Sequence, residues 1–458
     1  MDSIIFSHKD QQYKTVFFET FGCQMNKLDA ELSLGLLQEE GYRIVDKADE
    51  ADVILFNTCS VRQHAEDKVY SHLGALKKLK KRSPEVIVGV LGCMAQKDGE
   101  AIFKRMPHVD LVCGTRMFSR LPELLLKIQN HGSHVLAIDE DQIVNVKRAV
   151  TYRPNIYQAF VTVMRGCDNF CSYCIVPYVR GREISRTIDD VKKEVQALVS
   201  NGCKEVTLLG QNINSYGKGL SGNVTLGDLL SELNDLDGLE RIRFVTSHPA
   251  DMSRDLIRTM SRLSKVCEHL HMPAQSGSDH VLQRMRRGYT AGYYRDLISY
   301  ARELIPHIAV ASDFIVGFPG ETDQDFHETV HLMEDIRFQN CFIFKYSPRT
   351  GTKAAGLEDD VPDEVKRTRN IKLLALQKCI SLEENKEIIG KNVQVLVEGA
   401  SKSDSNKLSG RTRQNHIVIF HGPADLVGRL VDVMIYDATD LALYGKLGDY
   451  FKPNERNT

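Results

Sequence analysis

The sequence predicts an α/β protein with an N-terminal parallel α/β sheet domain, a central partial (β/α)6 barrel and a small, OB-like all-β barrel at the C-terminus. β-rich runs alternate with helical patterns in two successive series, which favours parallel sheets. A last stretch of short strand-like runs is punctuated by glycines, as in small closed barrels. The predicted bounds are residues 14–130, a linker at 131–152, the barrel with its trailing helix at 153–386, and the β domain at 388–452.

In the first series, cysteines follow the predicted strands. Cys23, Cys59 and Cys93 each lie just past one of the first three strands. Because the carboxyl ends of parallel strands share one edge of a sheet, these thiols can converge. The alternative is three unrelated buried cysteines. Cys113 also ends a strand, and we interpret it as structural. The strand-like runs are at residues 15–20, 53–56, 86–91 and 110–113, with helical patterns at 28–40 and 61–76.

The second series opens with a cysteine cluster. Cys167, Cys171 and Cys174 form a C-x3-C-x2-C spacing directly after the first predicted barrel strand. Structural zinc and [4Fe–4S] sites normally take four protein ligands. Three close cysteines therefore indicate a cluster with one corner left for a ligand that is not protein, while a zinc site and three structural cysteines are the alternatives.

Polar residues are placed after several of the barrel strands. Functional groups of such barrels sit at the carboxyl ends of the strands. We predict that Gln211, Asn212, Ser247 and Gln275 line a cofactor pocket, and that His248 is a satisfied structural histidine. The predicted barrel strands are residues 157–164, 205–209, 242–246, 267–271, 308–316 and 341–346.

A helical pattern at residues 363–389 precedes the C-terminal β domain, whose beginning is locally basic. Lys402, Lys407, Arg411 and Arg413 are candidate RNA contacts, although a charge run is often only a solvated face. Arg180 and Arg182, just after the cysteine loop, are further candidates for anion contacts.

Composition restricts the class of protein. The chain has 458 residues, with 59 Lys+Arg against 61 Asp+Glu, so any nucleic acid must be bound by local patches. Residues 1–14 are polar, and no apolar run is long enough to span a membrane. The eleven cysteines lie in globular sequence, so we expect a reducing, cytoplasmic location and metal binding rather than disulfides.

The cysteine spacing at residues 167–174 resembles the signature of the radical S-adenosylmethionine (SAM) superfamily. The resemblance implies a [4Fe–4S] cluster whose open iron binds SAM. One electron then splits the sulfonium C–S bond and yields a 5′-deoxyadenosyl radical. Tyr173 occupies the position of an aromatic that often contacts the adenine. In such enzymes the cofactor carries the hard chemistry and the protein orients it.

The order of domains resembles the methylthiotransferases, and four stretches look like their tRNA branch, the MiaB type. In that family a second [4Fe–4S] cluster is held by N-terminal cysteines, which correspond to Cys23, Cys59 and Cys93. The terminal barrel corresponds to the RNA-binding TRAM domain. The stretches are Phe-Gly-Cys-Gln-Met-Asn at 21–26, Asn-Thr-Cys-Ser-Val-Arg at 57–62, Thr-Ser-His-Pro at 246–249 and Ser-Asp-Phe-Ile-Val-Gly-Phe-Pro-Gly-Glu-Thr at 312–322.

The resemblance implies an enzyme that inserts a methylthio group at C2 of N6-dimethylallyladenosine, at position 37 beside the anticodon of tRNA. One SAM donates a methyl group to sulfur on the auxiliary cluster, and a second SAM supplies the radical. Expected partners are the tRNA anticodon stem-loop, an electron donor such as flavodoxin or ferredoxin, and an iron–sulfur carrier. A monomer without membrane contact is expected.

Related branches apply the same chemistry to a ribosomal-protein aspartate or to threonylcarbamoyl-adenosine in tRNA. Gln24 and Met25 beside the first cysteine, and Ser60 after the second, favour the isopentenyl branch. A more remote alternative is a non-catalytic iron–sulfur protein that binds RNA.

Overall fold

The computed structural model describes residues 14–60, 63–132, 134–138 and 152–448, and only the backbone at 63–65. The chain forms two compact units. The first contains the residues before 155 together with Tyr178–Gly181, and the second contains residues 155–177 and those from 182 onward. Several predictions fall outside the described residues. They concern the polar N-terminus before residue 14, the start of the helical pattern at 61–62, most of the predicted linker at 139–151, and the domain end at 449–452.

The first unit contains a parallel sheet with helices on both faces, as predicted. Its strand order is β2-β1-β3-β4-β5-β6 over the part of the chain described. The strands are β1 Thr15–Phe21, β2 Arg43–Ile44, β3 Val53–Thr58, β4 Ile87–Gly92, β5 Leu111–Cys113 and β6 Val135–Ala137; the helices are α1 Gln24–Glu39, α2 Gln63–Arg82, α3 Cys93–Asp98, α4 Glu100–Arg105 and α5 Leu121–His131.

The central strands of this sheet are buried on both faces, because alternate side chains enter two separate cores. Val53 and Leu55 pack with α5 on one face, while Ile54 and Phe56 pack with α2 on the other. This explains why β3 and β4 read as continuous apolar runs. Inside the predicted linker, β6 pairs with β5, so the sheet continues beyond residue 130.

The second unit contains the predicted partial barrel. Two parallel sheets, β11-β10-β7 and β12-β13-β14, are joined by a bridge between Ile242 and Val266. The strands are β7 Gln158–Thr162, β8 Met164–Arg165, β9 Ile184–Ser185, β10 Glu205–Leu209, β11 Arg241–Phe244, β12 His269–His271, β13 Ala309–Val316 and β14 Asn340–Lys345.

Helices cover the outer face of this barrel. The covering helices are α7 Ile188–Ser200, α8 Leu226–Asn234, α9 Arg254–Arg262, α10 Asp279–Arg284, α11 Ala291–Leu304, α12 Asp323–Ile336 and α13 Asp363–Lys386, whereas α6 Val176–Arg180 ends in the segment that packs with the first unit. Helices α7 to α12 each begin at a Ser or Thr whose side chain caps the first turn, and Thr225 and Thr322 form capping boxes. No helix among the described residues is long and apolar enough to cross a membrane.

The C-terminal strands close into a small barrel, as predicted. The order is β15-β16-β17-β19-β18, and its interior is apolar, with Val395, Phe420 and Val433 almost inaccessible. The strands are β15 Asn392–Ala400, β16 Leu408–Arg411, β17 Ile417–His421, β18 Leu430–Ala438 and β19 Leu443–Leu447. Hydrogen bonds from two arginines of β11 hold this domain against the amino ends of β10 and β11.

Two buried arginines of β11 join the C-terminal barrel to the larger one. Arg241 donates to Arg411 O at 2.8 Å, and Arg243 donates to Arg413 O at 2.7 Å. Arg243 also lies 3.1 Å from Glu205 at the start of β10. Arg241 and Glu205 are the first residues of their strands, so the C-terminal barrel packs at the edge opposite the cysteine loop.

Candidate iron–sulfur and cofactor site

The barrel cysteines lie in a loop that follows β8. Gly166, with a φ of +81°, donates from its amide to Gln211 Oε1 at 2.5 Å. The Cys174 amide donates to Cys171 O at 3.0 Å, and the Ala354 amide to Ser172 O at 2.7 Å. These hydrogen bonds position the loop. Gln211, which the sequence predicts as a SAM contact, therefore holds the cysteine loop in place.

The thiols of this loop lie close enough to affect one another. Burial and the neighbouring Cys171 together raise the pKa of Cys167 and that of Cys174 to about 12. A metal that binds these two thiols must therefore displace their protons. Three adjacent thiols in a partly buried loop fit a cluster that binds thiolates.

Unpaired polar atoms are buried after the strands next to this loop. Within the described residues, Asn212 Oδ1, Ser247 Oγ and His248 Nε2 have no hydrogen-bond partner. An unsatisfied buried polar group costs about 1–3 kcal/mol. Several of them at one strand edge indicate a polar ligand that completes them, and the amino, carboxylate and ribose groups of SAM fit this requirement.

The neighbouring contacts refine the predicted roles. Asn212 Nδ2 donates to Asp251 Oδ2 at 2.7 Å, which holds the amide in place. His248 Nδ1 accepts from the Ala250 amide at 3.2 Å, and burial lowers the pKa of His248 to about 2, so the ring is neutral. His248 is thus satisfied at one ring nitrogen only, whereas the sequence predicts a fully satisfied histidine.

Gln275 and Tyr173 complete the predicted SAM set. Gln275 is buried and has a φ of +70°, a strained backbone for a non-glycine residue. Its amide donates to Asp313 O at 2.8 Å, which fixes this conformation next to β13. Tyr173 is partly buried against the cluster that contains Phe318 and Tyr346. Their contact with SAM stays a prediction.

The N-terminal cysteines lie at the carboxyl ends of β1, β3 and β4. Cys23 precedes α1, and Cys93 begins α3. Gly22 has a φ of +140°, and a Cβ there would lie 2.5 Å from Cys59 Cβ, so only glycine permits this approach. Gly92, at a φ of +94°, is similarly restricted by Asn57 and Thr58. The backbone therefore brings these strand ends together.

Electrostatic contacts connect the three thiols. A hydrogen bond from Cys59 lowers the pKa of Cys23 to about 6, against the opposing effect of burial. Burial raises the pKa of Cys93, and the Cys23 charge raises it further. Thr58 Oγ1 and Ser60 Oγ are buried without a partner in the described part of the chain, so hydroxyl donors are present beside Cys59 for cluster sulfur.

Across the described residues, no three Cys, His, Asp or Glu side chains converge closely enough to hold one metal ion. A four-iron cluster does not require such convergence, because each thiolate binds a different iron. The two cysteine groups are hereafter called the barrel triad (Cys167, Cys171, Cys174) and the N-terminal triad (Cys23, Cys59, Cys93); cysteine thiolates are the usual ligands of [4Fe–4S] clusters.

Arg180 is not the surface anion contact that the sequence predicts. It is buried in the first unit, where its Nη1 lies 2.8 Å from Asp29 Oδ2. Its guanidinium also acts on the thiols of Cys93 and Cys23. A side chain enclosed in this way cannot reach RNA, and we correct its role to a contact of the N-terminal triad.

Arg413 also differs from the prediction. Its guanidinium donates to Glu268 and, at 2.7 Å, to Val266 O, which joins the C-terminal barrel to the segment before β12. Its charge is therefore neutralised within the protein, and we no longer assign Arg413 to RNA. Arg411 lies 3.3 Å from Glu398, and its contact with RNA stays a prediction.

The remaining RNA candidates are accessible. Lys402 is exposed, and Lys407 lies 3.3 Å from Asp404. Arg182 is exposed and forms a bidentate pair with Asp168 of the cysteine loop, with Nε 2.6 Å from Oδ1. RNA contact by these three residues stays a prediction.

Sequence reasoning missed the polar residues that support the N-terminal triad. Asn26 and Asn57 hydrogen-bond each other beside Cys23 and Cys59, with Asn57 Nδ2 donating to Asn26 O at 2.8 Å. In the sequence, the only indication of their role is that they lie inside the motif stretches given above.

Three parts of the chain match described families. Residues 15–114 match the Uncharacterized protein family UPF0004, residues 161–333 the Radical SAM superfamily, and residues 386–447 the TRAM domain. The matches follow the order predicted from the sequence, and the cofactors implied by the second match are SAM and a [4Fe–4S] cluster.

Solved structures support the fold. The radical S-adenosylmethionine methyltransferase TsrM from Kitasatospora setae, with cobalamin and a [4Fe-4S] cluster bound, has a TM-score of 0.53 over 83% of this chain and 76% of that chain. The same enzyme with tryptophan substrate and a SAM analog bound gives 0.52 over 85% and 79%. At 13% identity, these similarities concern the fold alone.

Relatives similar over nearly the full length are more specific. The tRNA-2-methylthio-N(6)-dimethylallyladenosine synthase of Clostridium botulinum (strain Loch Maree / Type A3) is 48% identical over 94% of this chain and 96% of its own length. That of Clostridium tetani (strain Massachusetts / E88) is 45% identical over 96% and 98%. The chain therefore belongs to the family of tRNA-2-methylthio-N(6)-dimethylallyladenosine synthases, which are radical SAM methylthiotransferases.

Proposed function

We propose that this chain inserts a methylthio group at C2 of N6-dimethylallyladenosine at position 37 of tRNA. The observation that carries the proposal is the identity of 45–48% with synthases of that name over nearly the whole chain. The two separate cysteine triads agree with it, because the reaction needs both a radical and a sulfur donor. The residue types at three positions beside the cysteines, Gln24, Met25 and Ser60, favour the same isopentenyl branch.

In this proposal the barrel triad holds the cluster that binds SAM. Bound there, SAM and the cluster supply the radical that removes hydrogen from an unactivated aromatic carbon. Asn212, Ser247 and His248 offer the buried, unpaired atoms that would orient SAM. Gln211 keeps the cysteine loop in place through the Gly166 amide.

The N-terminal triad would hold the auxiliary cluster that carries the transferred sulfur. Arg180 and Asp29 brace this triad from within the first unit. We propose residues 14–130 as the auxiliary-cluster domain, 153–386 as the radical domain and 388–452 as the RNA-binding domain, with Lys402, Lys407 and Arg182 as contacts to tRNA phosphates. A one-electron donor such as flavodoxin or ferredoxin, an iron–sulfur carrier and a monomeric, cytoplasmic enzyme complete the proposal.

The test is mass spectrometry of tRNA nucleosides from a strain in which the gene for this chain is deleted. We expect methylthio-dimethylallyladenosine to disappear and dimethylallyladenosine to accumulate. The intact gene should restore the product, while Cys167→Ala should not. Cys379→Ala is the matched control, because Cys379 is an exposed cysteine on α13 outside both triads.

The alternatives give different results in the same strain. An unchanged nucleoside profile would contradict the proposal and favour the ribosomal-protein branch. Loss of methylthio-threonylcarbamoyladenosine instead would assign the chain to the other tRNA branch.

A further inference from the structure

Arg287 is a buried arginine next to the barrel triad, and the proposed reaction assigns it no role. Arg287 follows α10 in the chain, and it is 5% exposed. Nη1 donates to Cys171 Sγ at 3.5 Å, and Nη2 to Pro273 O at 2.8 Å. Nε donates to the Tyr289 hydroxyl at 3.0 Å. The guanidinium therefore touches a thiol of the triad directly.

The charge of Arg287 has no carboxylate partner. Among the residues that the structure describes, none of the ion pairs includes it, and its acceptors are a carbonyl, a hydroxyl and a thiol. A buried, unpaired cation is costly, so such groups are normally paired or neutralised. An anion bound beside Cys171 would offset this charge.

The backbone holds Arg287 firmly in this position. Arg286 has a φ of +58° and Gly288 one of +70°, so the chain turns sharply on either side. The Arg287 amide donates to Leu282 O at 3.0 Å, and the Ser172 amide donates to Met285 O at 2.9 Å. The turn is thus tied to α10 and to the cysteine loop, and the guanidinium cannot swing away.

Arg287 contacts the barrel triad directly through Cys171, and the loop that carries Cys171 is tied to the same turn by the bond from the Ser172 amide to Met285 O. Arg180 beside the N-terminal triad differs, because Asp29 lies 2.8 Å from it and offsets its charge. Only the barrel triad lies next to a buried arginine that no carboxylate of the described residues offsets.

We propose that Arg287 is a positioning residue that raises the reduction potential of the cluster held by Cys167, Cys171 and Cys174. The proposal rests on the assignment of that triad under the proposed function. A [4Fe–4S]2+ core with three thiolates is an anion, and one electron from a low-potential donor increases its negative charge. Arg287 stabilises the reduced form more than the oxidised form, because the attraction grows with the charge on the cluster.

The experiment is a redox titration of the full-length chain, monitored by electron paramagnetic resonance without SAM. Cys23, Cys59 and Cys93 are replaced by alanine, so that only one cluster titrates. Arg287→Met should lower the ratio of reduced to oxidised cluster at least tenfold at the midpoint of the parent chain. For one electron this equals a fall of about 59 mV in midpoint potential. The potential can be read even when only part of the protein carries iron.

Two further variants separate charge from structure. Arg286→Met removes the same charge one residue away at an exposed position, and its potential should equal that of the parent. Arg287→Lys keeps the charge and should keep most of the potential, even if less iron is bound. Arg287→Met could bind no iron at all. In that case, an Arg287→Lys chain with the iron content and potential of the parent would support the need for a positive charge. Loss of iron in both variants would overturn the proposal.

An Arg287→Met cluster with the parent's potential would also overturn the proposal. That result would leave the tRNA reaction untouched, because the titration contains neither SAM nor tRNA. Conversely, the chain could form no methylthiolated tRNA while Arg287→Met still shifts the potential. That result would reject the proposed substrate and keep the role of Arg287.

Discussion

Each cysteine triad lies beside one buried arginine, and the two arginines are balanced in different ways. Arg180 pairs with Asp29, so the N-terminal triad has a nearly neutral ion pair as its neighbour. Arg287 contacts Cys171 and no described carboxylate. The first pair suits a structural brace, while the unpaired cation suits an anionic ligand.

Removing Asp29 should destabilise the first unit strongly. Asp29→Ala leaves Arg180 buried without its partner, and breaking a buried ion pair costs about 3–5 kcal/mol. Hydrogen exchange in peptides from β1 and β3 should report this as faster opening of the sheet. The double variant Asp29→Ala/Arg180→Met should open less readily than Asp29→Ala alone, because both charges are gone. Equal exchange in the single variant and the parent would show that the pair adds no stability.

Lys402 should contribute to tRNA binding as a phosphate contact. Replacing this exposed lysine by glutamine should weaken binding to all tRNAs similarly and reduce the slope of log K against log salt by about one. Lys192→Gln, on α7 of the barrel, removes the same charge from a lysine paired with Glu232 and should leave the slope unchanged. Equal slopes for Lys402→Gln and the parent would place the RNA elsewhere.

The residues of the triads were predictable, whereas the partners of single charges were not. Short spacing identifies Cys167, Cys171 and Cys174, and strand ends identify the others. Arg180 and Arg413 were assigned to RNA because of their charge and position in the chain. Their acidic partners, Asp29 and Glu268, are distant in sequence, so only the folded chain shows that these charges are neutralised.

At the scale of elements, β11 and the C-terminal barrel form a joint built from charged groups. Arg243 donates to Arg413 O and to Thr412 O, and its Nε lies beside the buried Glu205. Backbone carbonyls as acceptors fix the position of the loop irrespective of its side chains. The joint therefore orients the TRAM domain against the amino ends of the barrel strands.

Arg243→Met should loosen this joint. Glu205, 3% exposed, would lose its nearer cation and keep only Arg241 at 3.8 Å, so the expected cost is at most about 3–5 kcal/mol. Limited proteolysis should release the C-terminal barrel faster than from the parent chain. Arg429→Met, at an exposed arginine 3.9 Å from Asp425, should change stability by less than about 0.5 kcal/mol. Parent-like resistance of Arg243→Met would contradict the proposed strength of the joint.

His416 should make the contact between α13 and the C-terminal barrel sensitive to acid. Burial lowers the pKa of His416 to about 4, and its Nδ1 contacts Asn385 Oδ1 at 3.1 Å. The unfolded side chain titrates near pH 6.5, so it binds more protons than the folded one between these values. The stability contribution is thus complete above about pH 6.5 and declines toward pH 4, by at most about 3 kcal/mol.

The thermal unfolding midpoint measures this effect. His416→Gln cannot gain a proton, so its midpoint should fall less than that of the parent between about pH 6.5 and pH 4. His421→Gln, at an exposed histidine of the same barrel, should follow the parent. Identical pH dependence in all three proteins would refute the role of His416.

The long, regular elements were predictable and the short ones were not. β3 and β4 are apolar runs buried on both faces, and α13 follows a continuous helical pattern. β2 has only two residues, which pair with β1. α1 starts at Gln24, earlier than its pattern at 28–40, because its first turn carries Cys23 and Asn26 into the site instead of apolar residues.

At the scale of the whole molecule, one chain carries two cysteine triads, one at the carboxyl ends of three parallel strands and one in a single loop after β8. The domain order was predictable because it follows from successive βα series and from motif positions. The side of the barrel on which the C-terminal domain packs was not predictable, because it depends on Arg241 and Arg243 meeting distant backbone carbonyls and on Glu268 meeting the Arg413 side chain.

This division of labour is tested most directly by measuring two products from one reaction. Full-length protein is reconstituted with iron and sulfide, then supplied with SAM, dithionite and tRNA that contains dimethylallyladenosine. Chains lacking the N-terminal triad should still release 5′-deoxyadenosine but form no methylthiolated tRNA. Chains lacking the barrel triad should form neither product. Methylthiolated tRNA from a chain without Cys23, Cys59 and Cys93 would contradict the account.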